Sequence, residues 1–193
     1  MLAQLNPIVG DLEKNSKIIL ETYKKASKNK VDILAFPEMF LSGYQIQDLV
    51  FRPAFQKDLK KYIGLIGKKC INNTYLLFGT PLVEKEQIFN AYLLLKNGET
   101  KIISKKYHLP NNTLFDEKRY FSQSDHKVLL EIKGIKIGFP ICEDIWYEDT
   151  SKMLKKKGAD LLITPNGSPY ERNKLKKRHN EVFKRSRENN IPV

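Results

Sequence analysis

VDILAFPE, residues 31–38, is a short apolar run with one acid near its start, closed by a proline and a glutamate. Apolar side chains at successive positions do not suit a strand with one wet face. The run therefore reads as a strand covered on both sides, as parallel strands are inside α/β layers. Glu38 then stands at its carboxyl end. Upstream, after a short N-terminal strand, EKNSKIILETYKKASKNK (13–30) places Ile18, Ile19, Thr22, Tyr23 and Ala26 on one face at helical spacing. Downstream, residues 54–71 read as a second helix leading into the strand TYLLFGTP (74–81).

Two hairpins follow. IFNAYLLLKNGETKIISKKYH (88–108) turns at Asn97-Gly98, and Lys106 comes just after its second arm. KVLLEIKGIKIGFPICED (127–144) turns at Lys133-Gly134, and its second arm runs into Cys142. A helix over 148–157 leads to ADLLITPN (159–166), which echoes VDILAFPE as an acid-led apolar strand ending in proline. The echo fits an internal duplication or ordinary α/β grammar equally well. The tail ERNKLKKRHNEVFKRSRENN (171–190) carries Leu175, His179, Val182, Phe183 and Ser186 on one helical stripe, which predicts a packed helix with a basic outer face. Strand, helix, strand, helix and then hairpins argue for an α/β sandwich.

The chain has 193 residues, a length that suits one domain of the usual ~100 to 200 residues. Its net charge of +12 invites a nucleic-acid partner, but the lysines are spread along the whole chain, as on solvated faces. A nucleic-acid partner is accordingly not expected. No apolar run approaches the ~20 residues of a membrane span. The opening MLAQLNPIVG lacks the basic and apolar regions of a signal peptide, so a cytoplasmic protein is expected. Cys70 and Cys142, far apart and without an export signal, are expected to be free thiols.

Three residues fall at strand ends, where α/β proteins gather their chemistry: Glu38, Lys106 and Cys142. Singly, each has an ordinary reading, as a solvated carboxylate, a surface lysine and a small buried hydrophobe. Together they form a set: a base for the thiol proton, a cation for thiolate and oxyanion, and a nucleophile. Glu143 and Asp144, next to the cysteine, should raise its pKa. On an extended chain they can point away while Lys106 offsets them. His108, His126 and His179 have neither a triad partner nor a second ligand at a suggestive spacing, so no metal is read.

These residues and their contexts, DILAFPEMFLSGY around Glu38, KKYHLPN around Lys106 and ICEDIW around Cys142, resemble the carbon-nitrogen hydrolase (nitrilase) superfamily over nearly the whole chain. AQLNPIVGDLEKN, KYHLPN followed by FDEKRYF, ICEDIW and NGSPY are similar, more narrowly, to the glutamine-hydrolysing domains of glutamine-dependent NAD synthetases. The resemblance implies a four-layer αββα sandwich and a thioester mechanism in which Glu38 deprotonates Cys142 for attack on the side-chain amide of glutamine. Lys106 and the backbone N–H of Glu143 would hold the oxyanion. It further implies that Glu117 orients Lys106, and that Ser168 and Lys174 hold the substrate's α-groups. At Asn112 the subfamily usually has a tyrosine that contacts glutamine. No cofactor is implied for amide hydrolysis.

ATP and Mg belong to the synthetase domain, whose Ser-Gly-Gly-x-Asp-Ser loop does not occur in this chain. Residues 1–193 are thus expected to be one partial carbon-nitrogen hydrolase domain, its sandwich incomplete at the C-terminus. A separately encoded synthetase partner would use the ammonia, and a homo-oligomer is the expected assembly. The competing readings are an idle remnant of such a gene, another amidase of the superfamily, and a basic nucleic-acid binder using helix 171–187.

Overall fold

The computed structural model describes residues 1–112 and 114–193. Helix α1 (Leu12–Lys28) starts at Asp11, whose side chain accepts from Lys14 N at 2.9 Å, and it buries Leu12, Ile19, Tyr23 and Ala26. The apolar run that follows yields only a three-residue strand, β1 (Ile33–Ala35). It pairs in parallel with β2 (Tyr75–Glu84), which follows helix α2 (Pro53–Lys69). Pro37, which has no N–H to give, falls just beyond its end. Strands β3 (Gln87–Lys96) and β4 (Glu99–Lys105) complete a sheet of order β1-β2-β3-β4. They join at Asn97-Gly98, with φ of 51° and 81°, the left-handed pair that a tight hairpin requires.

A small hairpin of β5 (Asn111–Asn112) and β6 (Phe115–Asp116) leads into the one-turn helix α3 (Glu117–Tyr120). The second sheet is β7 (Leu130–Ile132) and β8 (Ile135–Gly138), antiparallel across Lys133-Gly134, with β9 (Leu161–Leu162) parallel to β8. Helix α4 (Glu148–Lys156) lies between β8 and β9 in the chain, and helix α5 (Lys174–Asn189) follows β9.

Three buried clusters fill the three gaps of a helix–sheet–sheet–helix stack. Alternation along the strands sorts their members. Phe78, Leu93 and Leu95 face α1 and α2 with Ile19, Tyr23 and Leu59, whereas Leu77, Tyr92 and Leu94 face the second sheet with Ile137 and Phe139. Outside the second sheet, Leu154 of α4 packs with Leu162 and Ile191. This is the αββα order expected from the sequence. The two echoing segments occupy matching places: β1 and β9 each end a sheet in parallel pairing, and each is followed by a loop of the site described below. Among the described residues no helix is long and apolar enough to cross a membrane.

The expectation for α5 needs correction. Leu175 and Phe183 are 64% and 60% exposed, while Arg185 and Asn189 are buried. The helix turns a polar face inward because that face carries its own partners. Arg185 Nε pairs with Glu188 Oε2 at 2.9 Å, and Arg178 donates to Pro169 O at 2.8 Å. Only Val182 and Ser186 of the predicted stripe are half-buried.

Candidate active site

Glu38 is placed by a bend that requires a glycine on the neighbouring strand. Past Pro37 the chain turns at Met39, with φ of 54°, and lies directly on Gly79 of β2. A Cβ at Gly79 would stand 2.2 Å from Met39 N and 2.8 Å from Glu38 Cα. The Glu38 carboxylate accepts from Lys106 Nζ and Asn90 Nδ2, both at 2.8 Å, through one oxygen, and from Gly167 N at 2.9 Å through the other.

Lys106, just past β4, is fixed by its own N–H, which donates to Asn90 O at 2.8 Å. Its ammonium also meets Glu117 Oε2 at 2.8 Å. The other Glu117 oxygen accepts from Tyr44 OH at 2.7 Å and Asn90 Nδ2 at 3.2 Å. Glu38, Asn90, Lys106 and Glu117 are all buried, and Tyr44 is half-buried. Burial alone would push the Lys106 ammonium toward its neutral form, but Glu38, the Cys142 sulfur and Glu117 together hold its pKa well above the ordinary lysine value. Burial raises Glu117 to about 7, against the pull of Lys106 and with added repulsion from Glu38. Burial, then Glu38 and Glu117, push the Tyr44 hydroxyl far up, so it remains a neutral donor.

Cys142 has φ of 45° and opens a short 3-10 turn, Cys142–Trp146. Its N–H donates to Pro165 O at 2.9 Å, which ties the turn to the loop after β9. From that loop Ser168 Oγ reaches Sγ at 3.7 Å. The thiol is pushed up by burial first and by Glu38 second, while Lys106, Ser168 and the Gly167 N–H pull it down. Neither neighbouring acid is among these causes.

Their disposition differs from the extended chain the sequence implied, because the backbone coils at Cys142. Asp144 turns to the rear and is wholly buried, accepting from Tyr107 N, His108 N and Ile141 N at 2.9 to 3.1 Å. Glu143 is half-buried rather than turned away. Burial raises its pKa, and it feels Lys106, Glu38, His108 and Lys174.

The structure thus brings Glu38 and Glu117 each into direct contact with Lys106 and sets Ser168 against Cys142. Lys174 opens α5 and pairs with Glu171 at 3.2 Å. Asn112 lies exposed beside a small cavity of about 140 Å³ that Tyr44, Phe115 and Glu117 also line. A larger cavity of about 520 Å³ reaches Glu38 and is lined also by Tyr44, Trp146, Ser168 and Arg178. Asn90, Tyr44 and Gly167 were not singled out from the sequence. Asn90 had a signal, as a lone amide within the apolar strand IFNAYLLL. Among the described residues, no group of three or more His, Cys, Asp or Glu side chains is placed to hold a metal ion.

Fold and site together define an α/β sandwich with a buried thiol beside a carboxylate–ammonium–carboxylate cluster. The chain belongs to the carbon-nitrogen hydrolase family, which it matches over residues 2–193. It is 38% identical over 192 residues to the glutamine-dependent NAD(+) synthetase of Rhodobacter capsulatus and 38% identical over 190 residues to that of Aquifex aeolicus. These alignments take in 100% and 97% of this chain but 35% and 33% of the relatives, so the chain spans about a third of their length. The solved glutamine-dependent NAD+ synthetase of Acinetobacter baumannii superposes with a TM-score of 0.93 at 31% identity, over 100% of this chain and 36% of that one. An amidase from Nesterenkonia sp. shares the fold with a TM-score of 0.78 at 20% identity, over 98% of this chain and 72% of that one.

Proposed function

We propose that this chain hydrolyses the side-chain amide of glutamine through a thioester on Cys142. The observation that carries the reading is the double engagement of Glu38. One oxygen meets Lys106 Nζ, and the other meets the N–H of Gly167, next to the Ser168 that touches Cys142 Sγ. These contacts support a reading in which Glu38 is the base, Lys106 the cation and Cys142 the nucleophile.

Glu38 takes the thiol proton as sulfur attacks the amide carbon. The oxygen gains negative charge, which the Lys106 ammonium and the Glu143 N–H, near the open end of the helical turn, stabilise. The proton then passes from Glu38 to the departing nitrogen, and ammonia leaves. Water, deprotonated by Glu38, attacks the thioester, releasing glutamate and returning the thiol. The neutral thiol favoured by burial is the resting form that this sequence needs, since the proton moves as the bond forms. Glu117 orients Lys106. Ser168 and Lys174 receive the α-amino and α-carboxylate groups, and Asn112 borders the site across Tyr44. Glutamine is favoured over other amides by the relatives, which are named for using it. The ammonia would serve ATP-dependent NAD synthesis in a synthetase domain, where ATP and Mg act.

The test is intact mass after exposure to a glutamine-like chloroketone, for the native chain, Cys142→Ala and Glu38→Gln, with circular dichroism confirming folding. One adduct on Cys142 that depends on Glu38 is expected. A folded native chain that takes up no label overturns the reading.

A further inference from the structure

Two buried charged side chains lie behind the cluster rather than in it. Asp144 and Lys127 are each without side-chain exposure, and Lys127 Nζ stands 3.3 Å from Asp144 Oδ2. Neither is among the direct contacts of Glu38 or Cys142. Their partners are nonetheless the backbone on either side of the reacting residues. Asp144 Oδ1 accepts from Tyr107 N at 3.1 Å and His108 N at 2.9 Å, the two residues after Lys106. Asp144 Oδ2 accepts from Ile141 N at 2.9 Å, the residue before Cys142. Lys127 Nζ donates to the carbonyl of Lys105, the residue before Lys106.

We infer that Asp144, with Lys127 as its counter-ion, is a positioning residue that sets the distance between the Lys106 ammonium and the Cys142 sulfur. The inference rests on the thioester reading but concerns how its parts are held. Lys106 and Cys142 follow strands of different sheets. The sheets pack face to face through apolar contacts that fix no register to a fraction of an ångström, and the backbone bonds that residues 124–128 make to Ile103, Lys105 and Lys106 involve no residue of the Cys142 turn. Hydrogen bonds do fix a register. One carboxylate bonded to both loops makes the sulfur and the ammonium move as a unit. A carboxylate suits this place because it only accepts, and three N–H groups converge on it. Asparagine keeps one accepting oxygen but turns N–H donors toward N–H donors. Removing the charge also leaves Lys127 buried without its counter-ion, and Lys157 and Asp125 are the other charges acting on that lysine.

The test reads the thiol itself, so it does not depend on glutamine being the substrate. Cys142 alkylation by iodoacetamide is followed by peptide mass as a function of pH in the native chain, Asp144→Asn and Lys127→Met, with circular dichroism at each pH. The charged groups acting on the thiol are Glu38 and Lys106, with Glu143 beside them, and none of the three is substituted in either variant. If Lys106 drifts from the sulfur, the thiolate loses its cation. The midpoint should then rise by about one pH unit, with a tenfold or greater loss of rate at fixed pH. A merely structural role lowers the folded amplitude and leaves the midpoint where it was. A folded Asp144→Asn with the native midpoint overturns the inference. If that variant does not fold, Lys127→Met decides: a raised midpoint supports the inference, and a native midpoint overturns it. A native chain unreactive at every pH would instead overturn the thioester reading, and this inference with it.

Discussion

Lys106 Nζ and Glu38 Oε1 lie 2.8 Å apart with both side chains wholly buried, and a second carboxylate, Glu117, lies equally close to the same nitrogen. One cation thus holds two acids that would otherwise repel each other away from water. Lys106→Met should therefore cost more than activity. Breaking a buried ion pair typically costs about 3–5 kcal/mol, because the partner charge is left uncompensated. We expect a loss of that size in urea unfolding at pH 8, shrinking toward pH 5 as Glu117 takes up its proton. Glutamate release should fall by about 100-fold or more with the oxyanion's cation gone. A Lys106→Met chain as stable as the native protein at pH 8 would contradict this account of the cluster.

Glu117 gives a pH dependence of definite sign. Its folded value of about 7 stands above the ordinary 4.5, raised by burial despite Lys106. Between those values the folded chain keeps a proton that the unfolded chain has lost. Stability therefore falls as pH rises from 4.5 to 7 and levels off above, by up to about 3 kcal/mol. Glu117→Gln cannot ionise and should remove this slope. Thermal midpoints at pH 5 and pH 8 provide the check: the gap between them should be wider in the native chain than in the variant.

Gly79→Ala should damage the site without touching any charged group. The added methyl meets the backbone of Met39 and Glu38, where no flexible side chain can yield. Overpacking of this kind costs about 1–3 kcal/mol. A shift of Glu38 by an ångström costs about 100-fold in rate. Gly98→Ala is the control, since a Cβ there meets nothing within 4 Å although its φ of 81° is strained. It should lose stability and keep the rate of its folded fraction. A Gly79→Ala chain with the native rate would show that Glu38 tolerates displacement.

What could be read in advance follows a physical division. The hairpin turns at Asn97-Gly98 and Lys133-Gly134 are local, set by residues that accept positive φ, and they fall where the sequence placed them. Glu38, Lys106 and Cys142 were visible as candidates because each comes shortly after a strand in a distinctive context. Asn90 and Tyr44 were not, because their roles come from strand pairing and loop packing. Asn90 bridges Glu38 and Glu117 only because β3 lies between β2 and β4. For α5, periodicity found a stripe, but Arg185 and Asn189 carry hydrogen-bond partners with them, and those partners decide which face goes in. A count of apolar positions does not register that. The contrast between Asp144 and Glu143 was lost for a similar reason, since the bend at Cys142 depends on pairing with Pro165.

The same bend gives the last prediction. Cys142 adopts φ of 45°, a region that costs an ordinary L-residue about 1 kcal/mol or more. Cys142→Ala removes the sulfur but keeps the Cβ and its strain, whereas Cys142→Gly removes both. Glycine pays back part of the gain through its looser unfolded chain. Both variants should be inactive, with Cys142→Gly the more stable by up to about 1 kcal/mol. Denaturant midpoints measured side by side decide it. If Cys142→Ala proves the more stable, the turn at the nucleophile is relaxed. The placing of its sulfur toward Ser168 would then need a cause other than backbone strain held in place by the surrounding hydrogen bonds.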